Sequence, residues 1–178
     1  MSSFEGNGLG GFLDGAVHRL PIRVYYEDTD TGGLVYHANH LRFAERGRTE
    51  MLRALGSAHT DLSKTEGVAF AVRNLSKTEG VAFAVRKCEI DFRWPARLDD
   101  LLEVETRIAD IGGASIVFEQ TIFKVDDMAA STERRLLVRI LLTVFCLNPQ
   151  GRPVRLPGPV RLALDDLQAR DAIANGRD

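Results

Sequence analysis

The sequence predicts an α+β domain in which one long helix packs against an antiparallel sheet. A strand pattern near the N-terminus is followed by a helical pattern over residues 38–55, and four more strand patterns then follow with no helix between them. Consecutive strands of this kind pair antiparallel, and a single helix can cover one face of the sheet that they form. The length of 178 residues is that of one domain with a substantial core.

The N-terminal segment is rich in glycine and serine, and residues 1–15 are predicted to be a flexible leader before a single domain over residues 16–178. Gly6, Gly8 and Gly11 have the GxGxxG spacing of a dinucleotide-binding turn. Such a turn must connect a strand to a helix. No strand pattern precedes these glycines, so no cofactor site is predicted here.

The first strand is predicted at residues 19–26, where Ile22, Val24 and Tyr26 share one face. A turn-rich segment leads into the helix, which Gly56 is expected to close at a C-cap position. The apolar stripe of the helix consists of Phe43, Ala44, Gly47, Met51, Ala54 and Leu55. A glycine inside a helix costs about 1 kcal/mol relative to alanine. Its presence on this stripe is explained if the helix lies very close to the sheet.

A perfect duplication occupies the middle of the chain, since residues 62–73 recur letter for letter as residues 75–86. Solenoid repeats have longer periods and at least three copies, so this pair is interpreted as a local duplication. Only the second copy runs directly into the strand pattern over residues 81–92. We therefore assign residues 81–86 to the central sheet and residues 62–74 to an insert, in which residues 68–73 form a loop, a peripheral strand or a subunit contact.

The remaining strands are predicted at residues 81–92, 101–109, 114–125 and 134–147. The first of them changes its alternation near Arg86 and Lys87, which predicts a β-bulge. Its apolar residues are Val81, Phe83 and Val85 before the change and Cys88, Ile90 and Phe92 after it. The last strand is apolar on both faces and is expected to be central or buried against another subunit. A proline-rich loop and a short helix over residues 160–174 end the chain.

Composition excludes several classes of function. The net charge of −2 gives no electrostatic basis for binding nucleic acid. No apolar stretch is long enough to span a bilayer, and the N-terminus does not resemble a signal peptide, so a cytoplasmic location is expected. Cys88 and Cys146 lie in apolar strand patterns and are expected to be reduced core residues, because their spacing indicates neither a zinc site nor a redox motif.

The polar segment over residues 26–39 is the strongest candidate for a functional site. It places Asp28, Asp30 and two glycines just before the helix, and His37 at the start of the helix. The first turn of a helix presents unpaired backbone N–H groups and a partial positive charge, which can polarise a carbonyl during acyl transfer. A nearby carboxylate can attack that carbonyl or activate water.

Simpler interpretations of the same segment remain open at this point. Asp and Gly before a helix often serve only as turn and cap residues. His37 and His40 could share a helix face as metal ligands, although nothing else supports a metal. A calcium loop is excluded, because Gly32 and Asn39 stand where that loop needs an oxygen-bearing side chain and a bidentate Glu.

The stretch RVYYEDTDTGGLVYHANHLRFAERGRTEMLR, together with GVAFAVRKCEIDFRWPARLDD, resembles the YbgC-like acyl-CoA thioesterases of the wider 4-hydroxybenzoyl-CoA thioesterase family. The resemblance covers about residues 19–160. It implies the hot-dog fold, in which a curved antiparallel sheet wraps a long central helix, and assembly into homodimers or homotetramers. It also implies hydrolysis of acyl-CoA or acyl carrier protein thioesters, and an association with the Tol–Pal envelope system in bacteria. No cofactor or metal is implied.

The resemblance also assigns roles to residues. The second Asp of the family's DTD element falls on Asp30, which becomes the catalytic nucleophile or general base. Its VYH element falls on Val35, Tyr36 and His37, where backbone N–H groups near Tyr36 and His37 are expected to hold the carbonyl oxygen and His37 to orient substrate or water. Gly33, Val35 and Tyr36 are expected to contact substrate. Asp28 is interpreted as a turn residue.

Arg86 and Lys87 are weaker candidates for binding the CoA phosphates, since solvated charges at a strand edge would look the same in the sequence. The chain departs from the family at His40, where Tyr is usual, at Gly47, where Ala is usual, and in the duplication. Two rival functions are a hot-dog dehydratase, which the DTDTGG–VYH arrangement disfavours, and a non-catalytic acyl-binding or scaffold subunit.

The duplication leads to a direct prediction. Deletion of residues 62–74 should leave a folded protein of equal or greater stability, because a surface insert adds only about 0.6 kcal/mol of loop-closure cost per doubling of loop length. Urea unfolding of the deletion variant beside the full chain measures this. Loss of cooperative folding in the variant would show that the first copy belongs to the core.

Overall fold

The computed structural model describes residues 10–58, 81–126 and 134–175, and within them the chain forms six strands and two long helices. In chain order these are β1 (Phe12–Asp14), β2 (Val17–Arg23), a 3₁₀ turn (Tyr26–Asp28), α1 (His37–Ala58), β3 (Ala82–Phe92), β4 (Leu101–Ile111), β5 (Ser115–Val125), β6 (Arg134–Leu147) and α2 (Gly158–Asn175). The predicted α+β class and the order of strand, long helix and four strands are confirmed.

The strands form one antiparallel sheet with the order β1-β2-β4-β5-β6-β3. β6 is an interior strand between β5 and β3, as its apolar residues on both faces predicted. The register between β3 and β6 shifts between Val85 and Lys87, which confirms the predicted bulge. β3 is the first described strand after α1 in sequence, but it lies at the opposite edge of the sheet from β1, separated from β2 by β4, β5 and β6.

Helix α1 packs against β1, β2, β4 and β5 through the predicted apolar stripe. Phe43, Ala44, Met51 and Leu55 are buried there. Gly47 lies so close to the sheet that an added Cβ would be 2.8 Å from Thr106 Oγ1 and 3.0 Å from Val104 Cγ1. The close approach that was inferred from this glycine is therefore confirmed.

A buried glutamine joins the helix to the sheet beside that glycine. Gln120 Nε2 on β5 donates to the Ala44 carbonyl of α1 at 2.7 Å and to Thr106 Oγ1 of β4 at 2.8 Å. Its Oε1 accepts from Arg48 Nη1 at 2.6 Å. Each of these polar groups is buried or partly buried and has a partner, so the contact orients α1 without leaving this amide unsatisfied.

Three local details differ from the predictions. β1 falls inside the segment predicted to be a flexible leader, because Phe12–Asp14 pair with β2, while residues 1–9 lie outside the described residues and for them the leader stays a prediction. Tyr26 does not share the buried face of Ile22 and Val24, since the chain leaves the strand at Arg23 and Tyr26 is 82% exposed in the 3₁₀ turn. The helix also continues two residues beyond Gly56 to Ala58.

Residues 82–86 of the second copy lie in the sheet, as predicted, but the strand that they begin is an edge strand and not the core strand that was expected. β3 is an edge strand that pairs with β6 alone among the described strands. Cys88, expected in the core, is exposed, whereas Cys146 on β6 is buried as expected. Strand order is decided by tertiary pairing, so a local apolar alternation could not place β3 at the edge. The first copy lies outside the described residues, and its position stays a prediction.

Substitution of Gly47 tests the contact between helix and sheet. Gly47→Val should lower the free energy of unfolding by about 2–4 kcal/mol, because its side chain would overlap Val104 and Thr106. Arg42→Val, which places the same side chain on the exposed face of α1, is the matched control and should change stability by about 0.5 kcal/mol. Equal effects in urea unfolding would show that α1 does not depend on this close approach.

Candidate functional site

The predicted site residues lie around an open pocket of about 390 Å³ at the beginning of α1. The polar side chains that line it include Asp30, Tyr36 and His37. The remaining lining residues are Leu34, Val35, His40, Phe92, Arg93, Trp94 and Pro95. The structure therefore brings the predicted catalytic pair, Asp30 and His37, to one cavity, together with Val35 and Tyr36.

Asp28 anchors the loop that carries these residues. Its carboxylate Oδ2 accepts a hydrogen bond from the Tyr25 N–H at 2.9 Å. Its backbone carbonyl accepts from the Tyr36 N–H at 3.0 Å and from the buried Asn39 Nδ2 at 2.9 Å. Asp28 is itself buried. These bonds close the loop and tie it to the first turn of α1, so Asp28 is the turn residue that the sequence indicated.

Asp30 stands at the tip of this loop with its side chain exposed to solvent. Its Oδ1 accepts from the Gly32 N–H at 2.8 Å and from the Leu34 N–H at 3.3 Å. Its own N–H donates to the Leu34 carbonyl at 2.8 Å. The second oxygen, Oδ2, accepts no hydrogen bond from the described part of the chain. One carboxylate oxygen thus orients the group while the other is available to a reactant.

Gly33 is required by the backbone of this turn. Its φ of 72° lies in the left-handed region, which glycine adopts without strain. Its N–H donates to the Asp30 carbonyl at 3.0 Å. Gly33 is not among the pocket-lining residues, so the structure supports a conformational role for it, and contact with substrate stays a prediction.

The first turn of α1 leaves a backbone N–H group beside the pocket that is unpaired within the described residues. Tyr36 N–H was expected to help hold a carbonyl oxygen, but it is already bonded to the Asp28 carbonyl, which corrects that expectation. The His37 N–H, at the first position of the helix, makes no hydrogen bond within the described chain. The partial positive charge of the helix N-terminus adds to this donor. The Tyr36 and His37 rings are in contact, with centroids 4.2 Å apart and ring planes tilted by 51°.

Arg86 and Lys87 are not brought to the pocket of this chain. The Arg86 guanidinium lies over the Phe145 ring at 5.0 Å, and Lys87 Nζ pairs with Glu89 Oε1 at 2.5 Å. Both positions are on the exposed edge strand β3. Their assignment to CoA phosphates stays a prediction.

The sequence did not predict the wall formed by residues 92–95. A backbone bridge between Leu34 and Arg97, and a hydrogen bond from the Val35 N–H to the Ala96 carbonyl at 2.9 Å, bring this segment against the loop of Asp30. Phe92 ends β3, and Trp94 beside it is 59% exposed. The aromatic residues were visible in the sequence, but the long-range pairing that places them was not.

His40 was considered only as a weak metal ligand and as a departure from the family, yet it lines the pocket. It is 3% exposed, and neither ring nitrogen has a hydrogen-bond partner of ordinary geometry in the described chain. Burial lowers the pKa of His40, and the nearby carbonyl groups of His37 and Tyr36 offset this only in part. Within the described residues no three His, Cys, Asp or Glu side chains are close enough to hold a metal ion.

Comparison with known proteins gives a consistent set of relatives. The family model described as the thioesterase superfamily matches residues 32–131. The acyl-CoA thioester hydrolase YbgC of Escherichia coli O6:H1 is 41% identical over 146 residues, which are 82% of this chain and 93% of that protein. A probable thioesterase from Bartonella henselae is 37% identical with a TM-score of 0.62, covering 79% of this chain and 99% of that chain.

The fold recurs in more distant structures. The 4-hydroxybenzoyl-CoA thioesterase from Pseudomonas sp. strain CBS-3 has a TM-score of 0.67 at 18% identity, covering 83% of this chain and 98% of that chain. This likeness concerns the fold alone. Together with the closer relatives it confirms the hot-dog fold. No helix of the described residues has the length and apolar character needed to cross a bilayer.

His40 leads to a prediction about acid stability. Because burial holds its pKa below the ordinary value of 6.5, the unfolded chain binds the proton more readily. Protonation of His40 therefore costs no unfolding free energy above about pH 6.5. As the pH falls through that value toward the folded pKa, the free energy of unfolding decreases. His40→Phe should reduce the loss of unfolding free energy between about pH 7.5 and pH 5.5, by at most about 1.4 kcal/mol per pH unit.

Urea unfolding at both pH values measures this difference. His18, the other described histidine with a lowered pKa, is retained in the variant and keeps part of the acid sensitivity. Identical acid sensitivity in the variant and the parent would contradict the assignment.

Proposed function

The chain belongs to the thioesterase superfamily and is an acyl-CoA thioester hydrolase, and we propose that Asp30 is the carboxylate that drives the hydrolysis. The observation that carries this proposal is the meeting of Asp30, His37 and the free N-terminus of α1 at one pocket. A carboxylate and an oxyanion donor facing the same cavity are the two groups that acyl transfer to water needs.

The hydrogen bonds of Asp30 support its role. Oδ1 is held by the N–H groups of Gly32 and Leu34, so the carboxylate is oriented before substrate arrives. Oδ2 is free to take a proton from water or to attack carbon. Orientation of this kind removes part of the entropy cost of bringing the reacting groups together.

Two balanced routes use this geometry. As a general base, Asp30 accepts a proton from a water molecule whose oxygen adds to the thioester carbonyl carbon. The carbon–sulfur bond then breaks, and the thiolate of CoA takes up the proton. As a nucleophile, Asp30 forms a mixed anhydride and releases the thiolate, and water then cleaves the anhydride to the free acid.

The developing negative charge on the carbonyl oxygen needs a donor in both routes. The His37 N–H has no other partner among the described residues and lies at the positive end of α1. A preorganised donor of this kind lowers the barrier more than a solvated one, because it needs no reorientation as charge develops. The imidazole of His37 is exposed and lines the same pocket as Asp30, which supports a role in orienting water or substrate.

The substrate is an acyl-CoA, and a thioester of acyl carrier protein presents the same carbonyl on the same kind of thiol. Arg86 and Lys87 are proposed to bind the CoA phosphates only in an assembly, since they lie outside the pocket of their own chain. The association with Tol–Pal and the cytoplasmic location stay predictions.

Thiol release measured across acyl-CoA chain lengths tests the proposed function. Asp30→Asn should keep the fold and lower kcat/KM by a factor on the order of a hundred or more. Asp28→Asn is the matched control, because an amide oxygen can still accept from the Tyr25 N–H, and its effect should be milder. Near-normal turnover by the first variant would remove Asp30 from its role. Absence of thiol release by the parent protein would favour the acyl-binding scaffold or the dehydratase.

We also propose that the chain assembles as a homodimer or homotetramer with the pocket near the interface. β3 is an edge strand whose apolar residues Val85 and Phe92 are 55% and 49% exposed, and Phe92 also lines the pocket. An exposed apolar edge strand is a surface that a second copy can cover.

Light scattering should give at least twice the chain mass of 19.7 kDa at micromolar concentration. Val85→Lys should shift the protein toward monomer, because it places a charge on the proposed contact. Leu162→Lys on α2, where the replaced leucine is 68% exposed, is the control and should leave the mass unchanged. A monomeric parent protein would contradict the proposal.

A further inference from the structure

His40 is a buried polar side chain whose hydrogen-bonding capacity is unused within the described residues. It is 3% exposed, and neither Nδ1 nor Nε2 has a partner of ordinary hydrogen-bond geometry in the described chain, although the backbone carbonyls of His37 and Tyr36 are nearby. The Phe92 and Phe43 rings lie 5.6 and 6.2 Å away between centroids in T-shaped arrangements, and an aromatic ring is a weaker hydrogen-bond partner than an oxygen. Buried side-chain nitrogens in folded proteins nearly always have partners, so this one calls for an explanation.

The position of His40 supplies that explanation. It lies three residues after His37 on the same face of α1, about 4.5 Å further along the helix axis. Both imidazoles line the same pocket. A carbonyl oxygen held at the His37 N–H would therefore direct the acyl chain along α1 toward His40. The ring would meet the chain a few bonds beyond the thioester carbonyl.

We propose that His40 forms a polar subsite for the acyl group, where its imidazole hydrogen-bonds a hydroxyl or oxo oxygen carried by the chain. It is a specificity-determining residue that favours such acyl thioesters over unsubstituted ones of the same length. This inference rests on the proposed function, since it takes the thioester to lie between Asp30 and His37.

The chemistry of the ring suits this role. A neutral imidazole carries one N–H donor and one acceptor nitrogen, so it can pair with a hydroxyl in either direction and with an oxo group through the N–H. Burial lowers the pKa of His40, which keeps the ring neutral near pH 7. Leu34, Val35 and Phe92 give this part of the pocket wall an apolar character. An unsubstituted chain would therefore offer the imidazole no partner beyond the poorly aligned carbonyls of His37 and Tyr36. A site with an unpaired polar group discriminates against the analogue that lacks the matching group.

Matched pairs of acyl-CoA thioesters, equal in length and with or without one hydroxyl on the first few carbons after the carbonyl, provide the test. The measured quantity is the ratio of kcat/KM for the hydroxylated substrate to that for the unsubstituted one. We expect the best pair to give a ratio of about ten or more in the parent protein, and His40→Phe to reduce that ratio about tenfold. His40→Gln retains a donor and an acceptor and should recover part of the preference.

Two further variants keep the result interpretable. His40→Met is equally apolar and more adaptable than Phe, so it should give the same loss if the Phe variant does not fold. His18→Phe replaces the other buried histidine, which lies on β2 away from the pocket and bonds the Gly10 carbonyl at 2.9 Å. It should leave the ratio unchanged, which separates the loss of the subsite from a general effect of removing a buried imidazole.

Binding of thioether analogues separates this inference from the proposed function. In these analogues a methylene group lies between the carbonyl carbon and the sulfur, so there is no thioester bond to hydrolyse. If the parent protein hydrolyses acyl-CoA but shows no hydroxyl preference, or a preference that His40→Phe leaves intact, the subsite is overturned and a trapped water satisfies the ring. If no acyl-CoA is hydrolysed, the proposed function fails, and the ratio of analogue Kd values decides the subsite. A binding preference for the hydroxylated analogue that His40→Phe abolishes would still support it, and equal Kd values would overturn it.

Discussion

The buried contact between α1 and the sheet at Gly47 and Gln120 is the constraint on which the site depends. Gln120 bonds the Ala44 carbonyl on the helix and Thr106 on the neighbouring strand, and its oxygen accepts from Arg48. These bonds are possible only because Gly47 has no side chain to hold the helix away. A buried, fully paired amide allows few alternative positions, since sliding the helix would leave polar groups unsatisfied. The contact in the middle of α1 therefore also fixes the position of the N-terminus of α1, where substrate is proposed to react.

The loop before α1 is bonded to the helix and positions Asp30 relative to it. The Asp28 carbonyl accepts hydrogen bonds from Tyr36 and Asn39, so the loop is bonded directly to the first helical turn. The tight turn at Gly33 then points Asp30 back toward the pocket, with one oxygen bonded and the other free. Asp28 and Asp30 are two residues apart and chemically identical, yet one is buried with its bonds satisfied and the other is exposed at the cavity. Their different environments, rather than their residue type, separate the structural carboxylate from the reactive one.

Much of this could be predicted from local patterns. The helix, the five longer strands, the bulge beside Arg86 and the close approach at Gly47 each follow from the periodicity or residue type of a short segment. The grouping of Asp30 with His37 followed from the motif and the resemblance. The predictions that failed concern features that depend on distant parts of the chain. The sequence pattern of β3 is typical of a core strand, but β3 pairs at the edge of the sheet. The aromatic wall at Trp94 depends on the bridge from Leu34 to Arg97, and the Tyr36 N–H is taken by a carbonyl eight residues earlier.

The central claim is that a thioester reacts between Asp30 and the N-terminus of α1. The most direct measurement is a crystal structure of the Asp30→Asn variant with an intact acyl-CoA bound. The account predicts that the thioester carbonyl carbon lies about 3 to 3.5 Å from the side chain at position 30, with its oxygen directed at the His37 N–H. The acyl chain should then run along α1 past His40. A thioester bound elsewhere, with its carbonyl out of reach of position 30 and of the first turn of α1, would contradict the account.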